Sequence, residues 1–314
     1  MKPFLVVNPS SANGATGRHF DDISGAVRRA IGDHSHAFTQ RPMHAAEVTR
    51  KALAEGHDLI IAVGGDGTIN EVVNGFFAPC VPGEAVRPLN PGAALGFLPR
   101  GTGGDLRRTV GLEGNLAACA GRLSGASKQV DVGRVDYVDT EGQPASRLFL
   151  NVGEAGVGAK VVEIVNSSSK LLGGKLTFML ASVRALIGWQ DLPLRVSFDG
   201  ASAEELSVTT LAIANGRFFG GGMMVAPEAR LDDGLFHVTI WRGYTLATFM
   251  LKSGSMYDGT HVKLEGTRTA TARTVHLAPG AAAKGPVAIE VDGEQIGRLP
   301  ATFTVLPGAL RLAV

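Results

Sequence analysis

Three glycine-bearing stretches in the first half of this chain have the composition needed to bind phosphate. They are Asn8 to Gly17, Gly64-Gly65-Asp66-Gly67-Thr68, and Arg100-Gly101-Thr102-Gly103-Gly104-Asp105. Backbone N–H groups at a strand-to-helix turn, together with the positive end of the helix dipole, favour an anion, and glycine lets the phosphate approach the backbone. Arg100 adds a forked donor suited to phosphate oxygens. Each helix start contributes about 0.3–1 kcal/mol towards an anion, and more when partly buried. Two such ends and an arginine suffice for a triphosphate. Phosphoryl transfer asks a protein mainly for positioning and charge neutralisation, with Mg²⁺ and hence carboxylates nearby. The second half supplies acids at turns, in Asp232-Asp233-Gly234 and Asp292-Gly293-Glu294. Asp-Gly is also the preferred hairpin dipeptide, so each pair alone reads first as a turn. Glu294 is the extra acid that turn chemistry does not require.

The elements expected to position these residues follow from the periodicity. Phe4–Val7 and Leu59–Val63 are continuous apolar runs, as buried parallel strands require. Thr68 with Glu71 reads as a capping box opening a helix over 68–77. Further helices are expected over 17–30 and 43–55, and further strands at 35–38 and 93–98. Strand, loop and helix alternate to about residue 125, which predicts a parallel sheet covered by helices. Ligands of such sheets sit at the carboxyl ends of the strands. The loops after 7, 63 and 98 therefore meet at one edge.

Near residue 127 the pattern changes to period two, and turns such as Asp199-Gly200 punctuate it. Strands are expected around 130–136, 147–152, 194–198, 207–214, 235–241, 261–265, 273–277, 287–291 and 301–305. An apolar helix is expected over 170–188. The fold class is thus an α/β N-terminal domain over 1–127 followed by a mainly antiparallel β-sandwich over 128–294.

Composition narrows the function. The chain has 314 residues and a net charge of +1, which gives no electrostatic footprint for nucleic acid. Its two cysteines, Cys80 and Cys119, lack metal-ligand spacing, and a reduced cytoplasmic setting is the default. The apolar start is too short for a signal peptide, and no window has the ~18 apolar residues of a spanning helix. Contact with a membrane would be peripheral, at the inner surface. Walker A, dinucleotide and Gly-x-Ser-x-Gly patterns all fail. The scattered histidines, among them His34, His36, His44 and His57, read as ordinary surface or core residues.

Six segments in order resemble the bacterial members of the diacylglycerol kinase catalytic-domain superfamily, which also contains sphingosine and ceramide kinases. They are Val7-Asn8-Pro9; Gly64 to Thr68 with Glu71 and Asn74-Gly75; Leu98 to Asp105; Asp131-Val132-Gly133; Asn215-Gly216 through Gly220-Gly221-Gly222, Pro227-Glu228-Ala229 and Asp233-Gly234; and Val291 to Glu294. The resemblance covers nearly the whole chain. It implies an ATP- and Mg-dependent kinase that phosphorylates a hydroxyl of a lipid such as diacylglycerol in the cleft between two domains, with 295–314 returning to the first. By the same resemblance Asn8, Gly65, Asp66, Gly67, Thr68, Glu71, Arg100, Gly101, Thr102 and Asp105 attend the nucleotide. Asp66 also falls in the magnesium region, and Asp131 and Asp233, with Leu235, match the metal and water network. Glu294 matches the residue that takes the acceptor's proton. Three positions depart from the family: Gly104 replaces the usual Asn, Leu106 the usual aromatic, and Arg230 an acid found in some relatives. The alternatives are an NAD kinase, whose Gly-Gly-Asp-Gly-Thr turn is shared and which Leu95 to Leu98 also resembles, and a non-catalytic protein that binds nucleotide or lipid. Oligomeric state and acceptor identity are not encoded in any pattern found.

Overall fold

The fold is described from a computed structural model covering residues 1–101, 103–167 and 174–313. In the first half the strands are β1 (Pro3–Val7), β2 (Ser35–Phe38), β3 (Leu59–Gly64) and β4 (Ala94–Pro99). The helices are α1 (Ala15–Arg18), α2 (Phe20–Ile31), α3 (His44–Ala54), α4 (Asp66–Gly75), α5 (Asp105–Thr109) and α6 (Leu116–Arg122). Every residue of β1 and β3 is buried, because β1 to β4 pair in parallel, in the order β4-β3-β1-β2, and helices cover both faces.

The second half contains β5 (Lys128–Val138), β6 (Pro144–Phe149), β7 (Val152–Gly156), α7 (Val157–Ser167), α8 (Gly174–Leu186), β8 (Leu192–Phe198), β9 (Glu204–Val208), β10 (Thr210–Ala214), β11 (Phe236–Trp241), α9 (Leu246–Asp258), β12 (Thr267–Ala272), β13 (Thr274–Pro279), β14 (Ala288–Val291) and β15 (Glu294–Ala313). One antiparallel layer runs β12-β11-β10-β7-β14-β15, and the other is built from β6, β5, β15, β13, β8 and β9. Strand β15, 20 residues long, belongs to both. Its end, Arg311 to Ala313, pairs in parallel with β4 and makes the sheet mixed. Phe149, Phe236 and Phe303 fill the space between the layers, with Phe149 stacked on Phe236 at 5.7 Å. Each such buried ring stabilises the fold by roughly 1.5–3 kcal/mol.

The structure changes several expectations. Helix α4 begins at Asp66, with Gly65 as a cap that makes no side-chain bond, so Thr68 and Glu71 form no capping box. Thr68 instead accepts from Asn8 Nδ2 at 3.1 Å, and Glu71 accepts the Ala45 N–H at the start of α3 at 3.0 Å. The expected strand at 261–265 is a 3₁₀ turn over Thr260–Lys263. The run 207–214 divides at Thr209, whose N–H bonds Trp241 and whose hydroxyl bonds Asp191. The run 147–152 divides at Leu150 and Asn151. Helices α7 and α9 lie within the strand-rich half. Of the expected 170–188 helix, the part before Gly174 lies outside the described residues. No helix among the described residues is long and apolar enough to cross a membrane.

Candidate active site

The three glycine loops converge. Asn8 N–H donates to Val63 and Arg100 N–H to Gly64, at 3.0 and 2.7 Å. A Cβ on Gly101 would lie 2.6 Å from Gly65 Cα, so only glycine allows the β3–α4 and β4–α5 loops this close approach. Asp66 Oδ2 accepts the Gly104 N–H at 2.8 Å and ties the two loops together. Gly104 has φ +67°, a conformation open to glycine and, at modest cost, to asparagine. The departure from the family's Asn therefore keeps the backbone bend. Arg100 Nε is buried with no hydrogen-bond partner among the described residues. Thr102 lies outside the described residues.

Asp105 Oδ2 accepts the Gly221 N–H at 3.0 Å and Oδ1 bonds Arg108, so the glycine cluster of the second half docks onto the first. Burial, with Asp66's charge second, raises the Asp105 carboxyl to about 6 against the opposing Gly221 N–H and Arg108.

Glu294 opens β15 and reaches α4, where its Oε1 would be 3.3 Å from a Cβ on Gly67. Arg147 Nη2 donates to Glu294 Oε2 at 2.6 Å. Burial raises the Glu294 carboxyl and the charge of Arg147 opposes the rise. The hairpin that presents Glu294 is fixed by Asp292, whose φ of +48° is followed by +83° at Gly293. Asp292 Oδ1 accepts the N–H groups of Asn151 and Val152, and Oδ2 accepts Leu150 N–H and Asn70 Nδ2. Burial raises the Asp292 carboxyl and these donors work against it. Asp292-Gly293 is thus a turn and an anchor at once. Asn70 and Arg147 were not singled out from sequence. The available signals were the polar Asn70 inside the Thr68 to Glu71 string and a lone arginine in the apolar run 147–150.

Asp131 and Asp233 meet at one loop. Asp131 Oδ2 accepts Gly234 N–H at 2.7 Å and Oδ1 accepts Gly308 N–H at 2.8 Å. Asp233 Oδ1 accepts Leu235 N–H, and Oδ2 faces His237 Nε2 at 2.9 Å. Arg230 turns to Asp232 and makes no ion pair with Asp233. Each carboxylate oxygen keeps acceptor capacity, and an all-oxygen set suits a hard cation. Among the described residues no three His, Cys, Asp or Glu side chains are grouped to hold a metal, so water and main-chain carbonyls would complete any shell.

A cavity of about 160 Å³ starts at Asp66, Ile69 and Asp105 and extends under α7, α8 and α9. Its walls are mainly apolar, with Val161, Leu186, Phe219, Phe249 and Met256 among them. Phe219 stacks on Trp241 at 6.1 Å. Asp292 and Gly293, beside Glu294, line the same space.

Glycine-bearing loops at a parallel-sheet edge thus meet an apolar cavity, with a carboxylate at the junction. Residues 2–135 match the diacylglycerol kinase catalytic domain and residues 151–314 match the YegS C-terminal NAD kinase beta sandwich-like domain. The chain belongs to the diacylglycerol kinase family, a family of lipid kinases. It is 27% identical to a diacylglycerol kinase of Bacillus subtilis (strain 168), covering 96% of this chain and 92% of that protein. It is 28% identical to the diacylglycerol kinase of Staphylococcus carnosus (strain TM300), over 95% and 90%. The crystal structure of a diacylglycerol kinase from Bacillus anthracis str. Sterne superposes with a TM-score of 0.69 at 21% identity, covering 99% and 96%. Yeast NADH kinase complexed with NADH gives 0.51 at 12% identity, over 99% and 82%, a likeness of fold.

Proposed function

We propose that the chain transfers the γ-phosphoryl group of ATP to a hydroxyl of a lipid alcohol such as diacylglycerol, with Mg²⁺ required. The observation that carries this reading is the place of Glu294, against the first turn of α4 where the loops converge, and next to residues that line the apolar cavity. The triphosphate lies on the N–H groups of Gly65, Gly67 and Thr68, with Arg100 as its forked donor and Asn8 and Gly101 shaping the rim. Glu294 takes the proton of the acceptor hydroxyl as its oxygen attacks phosphorus and ADP departs, help worth about 10²–10⁴ in rate. Magnesium would supply positive charge against the phosphates; Asp66 would face it there, and Asp131, Asp233 and the Leu235 carbonyl offer a second oxygen-donor set. Glu71, turned to α3, acts at longer range through its charge on Glu294.

Leu180, Ile187, Met250 and Leu251 are exposed on or beside α8 and α9, the helices whose other faces close the cavity. That surface suits peripheral contact with the bilayer that holds the acceptor.

The test is transfer from radiolabelled ATP to extracted total lipids, with the product identified by mass. Asp66→Ala and Glu294→Gln each reduce transfer by about 10²-fold or more while circular dichroism stays unchanged. Activity retained in both variants overturns the assignment, and NADP formed from NAD under the same conditions replaces the lipid acceptor with a dinucleotide.

A further inference from the structure

Two carboxyls in the cavity wall have no part in the transfer just described. Glu154 on β7 and Glu290 on β14 lie opposite each other in the antiparallel pair and both line the cavity. Their neighbours Ala155, Ile289 and Val291 pack in the sandwich core, so strand alternation sets the acids together on the cavity face. They are 1% and 4% exposed. Glu154 Oε1 accepts from Thr210 Oγ1 at 3.2 Å, and the carboxylate also takes the Gly158 N–H at the start of α7. A Cβ at Gly158 would overlap that carboxylate, so the glycine leaves its space. Glu290 Oε2 accepts the Gly293 N–H at 2.9 Å. Among the described residues, the charges of Glu154, Asp292 and Glu294, all acids, raise Glu290 further. Neither Glu154 nor Glu290 forms an ion pair with a described Lys, Arg or His.

Two buried acids with no cation beside them among the described residues are costly in an apolar cavity, and they hold protons to lower that cost. Burial raises Glu154 to about 7 and Glu290 well above the usual carboxylate range. A hydroxyl could be met by one neutral amide or hydroxyl side chain; a facing pair of acids is matched by a positive charge. A second, separate group in the same wall also lacks a partner. The indole Nε1 of Trp241, a residue 4% exposed and lining the cavity, finds no acceptor among the described residues.

Resting on the lipid-kinase reading of this site, we propose that Glu154 and Glu290 recognise a protonated amine, so that the preferred acceptor is a long-chain amino alcohol. Its ammonium sits between the two carboxyls, its hydroxyl faces Glu294, and its chain runs along α7, α8 and α9. Trp241 donates to a further oxygen of the same molecule. Seating the ammonium forms N–H···O bonds and releases a proton from the acid pair to water; no covalent bond changes.

The experiment is isothermal titration of the full chain with hexadecylamine and with hexadecanol in uncharged detergent micelles, at neutral pH, in two buffers of different ionisation enthalpy. The amine binds about tenfold more tightly than the alcohol or better, with proton release, on the scale of buried charge pairs. In the Glu154→Gln/Glu290→Gln double variant the ratio falls to about one and the proton release disappears. Glu163→Gln, on the exposed Lys160 pair of α7, keeps both. Equal binding of amine and alcohol by the natural chain, or preference retained in the double variant, overturns the amine site. If the double variant fails to fold, Glu290→Gln alone and the natural chain's proton release decide. Phosphate transfer to diacylglycerol without amine preference sinks this inference and leaves the kinase reading standing; amine preference without transfer to any lipid does the reverse.

Discussion

Arg147 joins the candidate base to α4, the helix that begins the proposed phosphate site. Its Nη2 donates to Glu294 Oε2 at 2.6 Å and to Asn70 Oδ1 at 2.9 Å, and its Nε donates to the same Asn70 oxygen at 3.2 Å. Asn70 stands one turn into α4 and passes a hydrogen bond on to Asp292 at 2.9 Å. The candidate base is thus held by a residue of β6 that also bonds α4 through Asn70.

Replacing Arg147 by Ala removes the positive charge that opposes the burial-driven rise of the Glu294 pKa. That pKa then moves further up. Because the base must be ionised to accept a proton, the acidic limb of the pH profile of kcat/KM shifts to higher pH. The rate at neutral pH falls about tenfold or more, and Arg147→Lys restores part of it. A profile whose acidic limb stays in place in Arg147→Ala separates Arg147 from the base.

Glycine at 67 and at 101 answers to different neighbours. At Gly101 the added Cβ would meet the Gly65 backbone at 2.6 Å, which cannot move without parting the two loops. Gly101→Ala therefore raises KM for ATP about tenfold or more and destabilises the fold by about 1–3 kcal/mol. At Gly67 the added Cβ would meet only a Glu294 oxygen at 3.3 Å. Alanine there suits the helix by up to about 0.5–1 kcal/mol, yet it displaces the carboxylate and lowers kcat. Parallel losses of stability and kcat in Gly67→Ala would mean that Glu294 does not stand over this turn.

The sequence made the α/β half and its loops legible because glycine spacing and unbroken apolar runs are local signals. Leu59 to Val63 can only be a buried strand when a glycine turn follows. What stayed hidden was settled by long-range partners. Thr68 and Glu71 have the spacing of a capping box, but Asn8 and Ala45 claim their side chains. Helix α9 carries its own punctuation, with Thr245 accepting from Thr248 N–H and Gly259 closing it in the left-handed region, yet its apolar content resembled the neighbouring strands. Arg147 gives no local sign of its partner 147 residues away. The Glu154 and Glu290 pair exists only through strand register, which periodicity cannot supply.

Asp292→Asn tests the anchor beneath the base. The carboxylate accepts four bonds, from Asn70, Leu150, Asn151 and Val152. An amide group there turns two hydrogens towards donors and leaves buried N–H groups unpaired, at about 1–3 kcal/mol in all. Urea denaturation is expected to show that loss with an unchanged m-value, and kcat falls with it because Glu294 follows two residues later. Unaltered stability would show that water or a shifted turn replaces the anchor.

Glu154 offers a stability test independent of any substrate. Its carboxyl is raised from 4.5 to about 7, by burial first, with the Thr210 and Gly158 bonds opposing. For an acid with a raised folded pKa, the native state keeps the proton that the unfolded state has already lost. Unfolding then releases a proton between about pH 4.5 and 7, so stability falls as pH rises through that window and levels off above it. The full difference is on the order of 3 kcal/mol at 1.36 kcal/mol per unit. Glu154→Gln keeps an acceptor for Thr210 and Gly158 but has no proton to lose. Its stability measured by urea denaturation should stay flatter across the window and exceed that of the natural chain at pH 8. If both proteins lose the same stability from pH 5 to pH 8, Glu154 is ionised throughout, and a cation must already stand beside it in the native state.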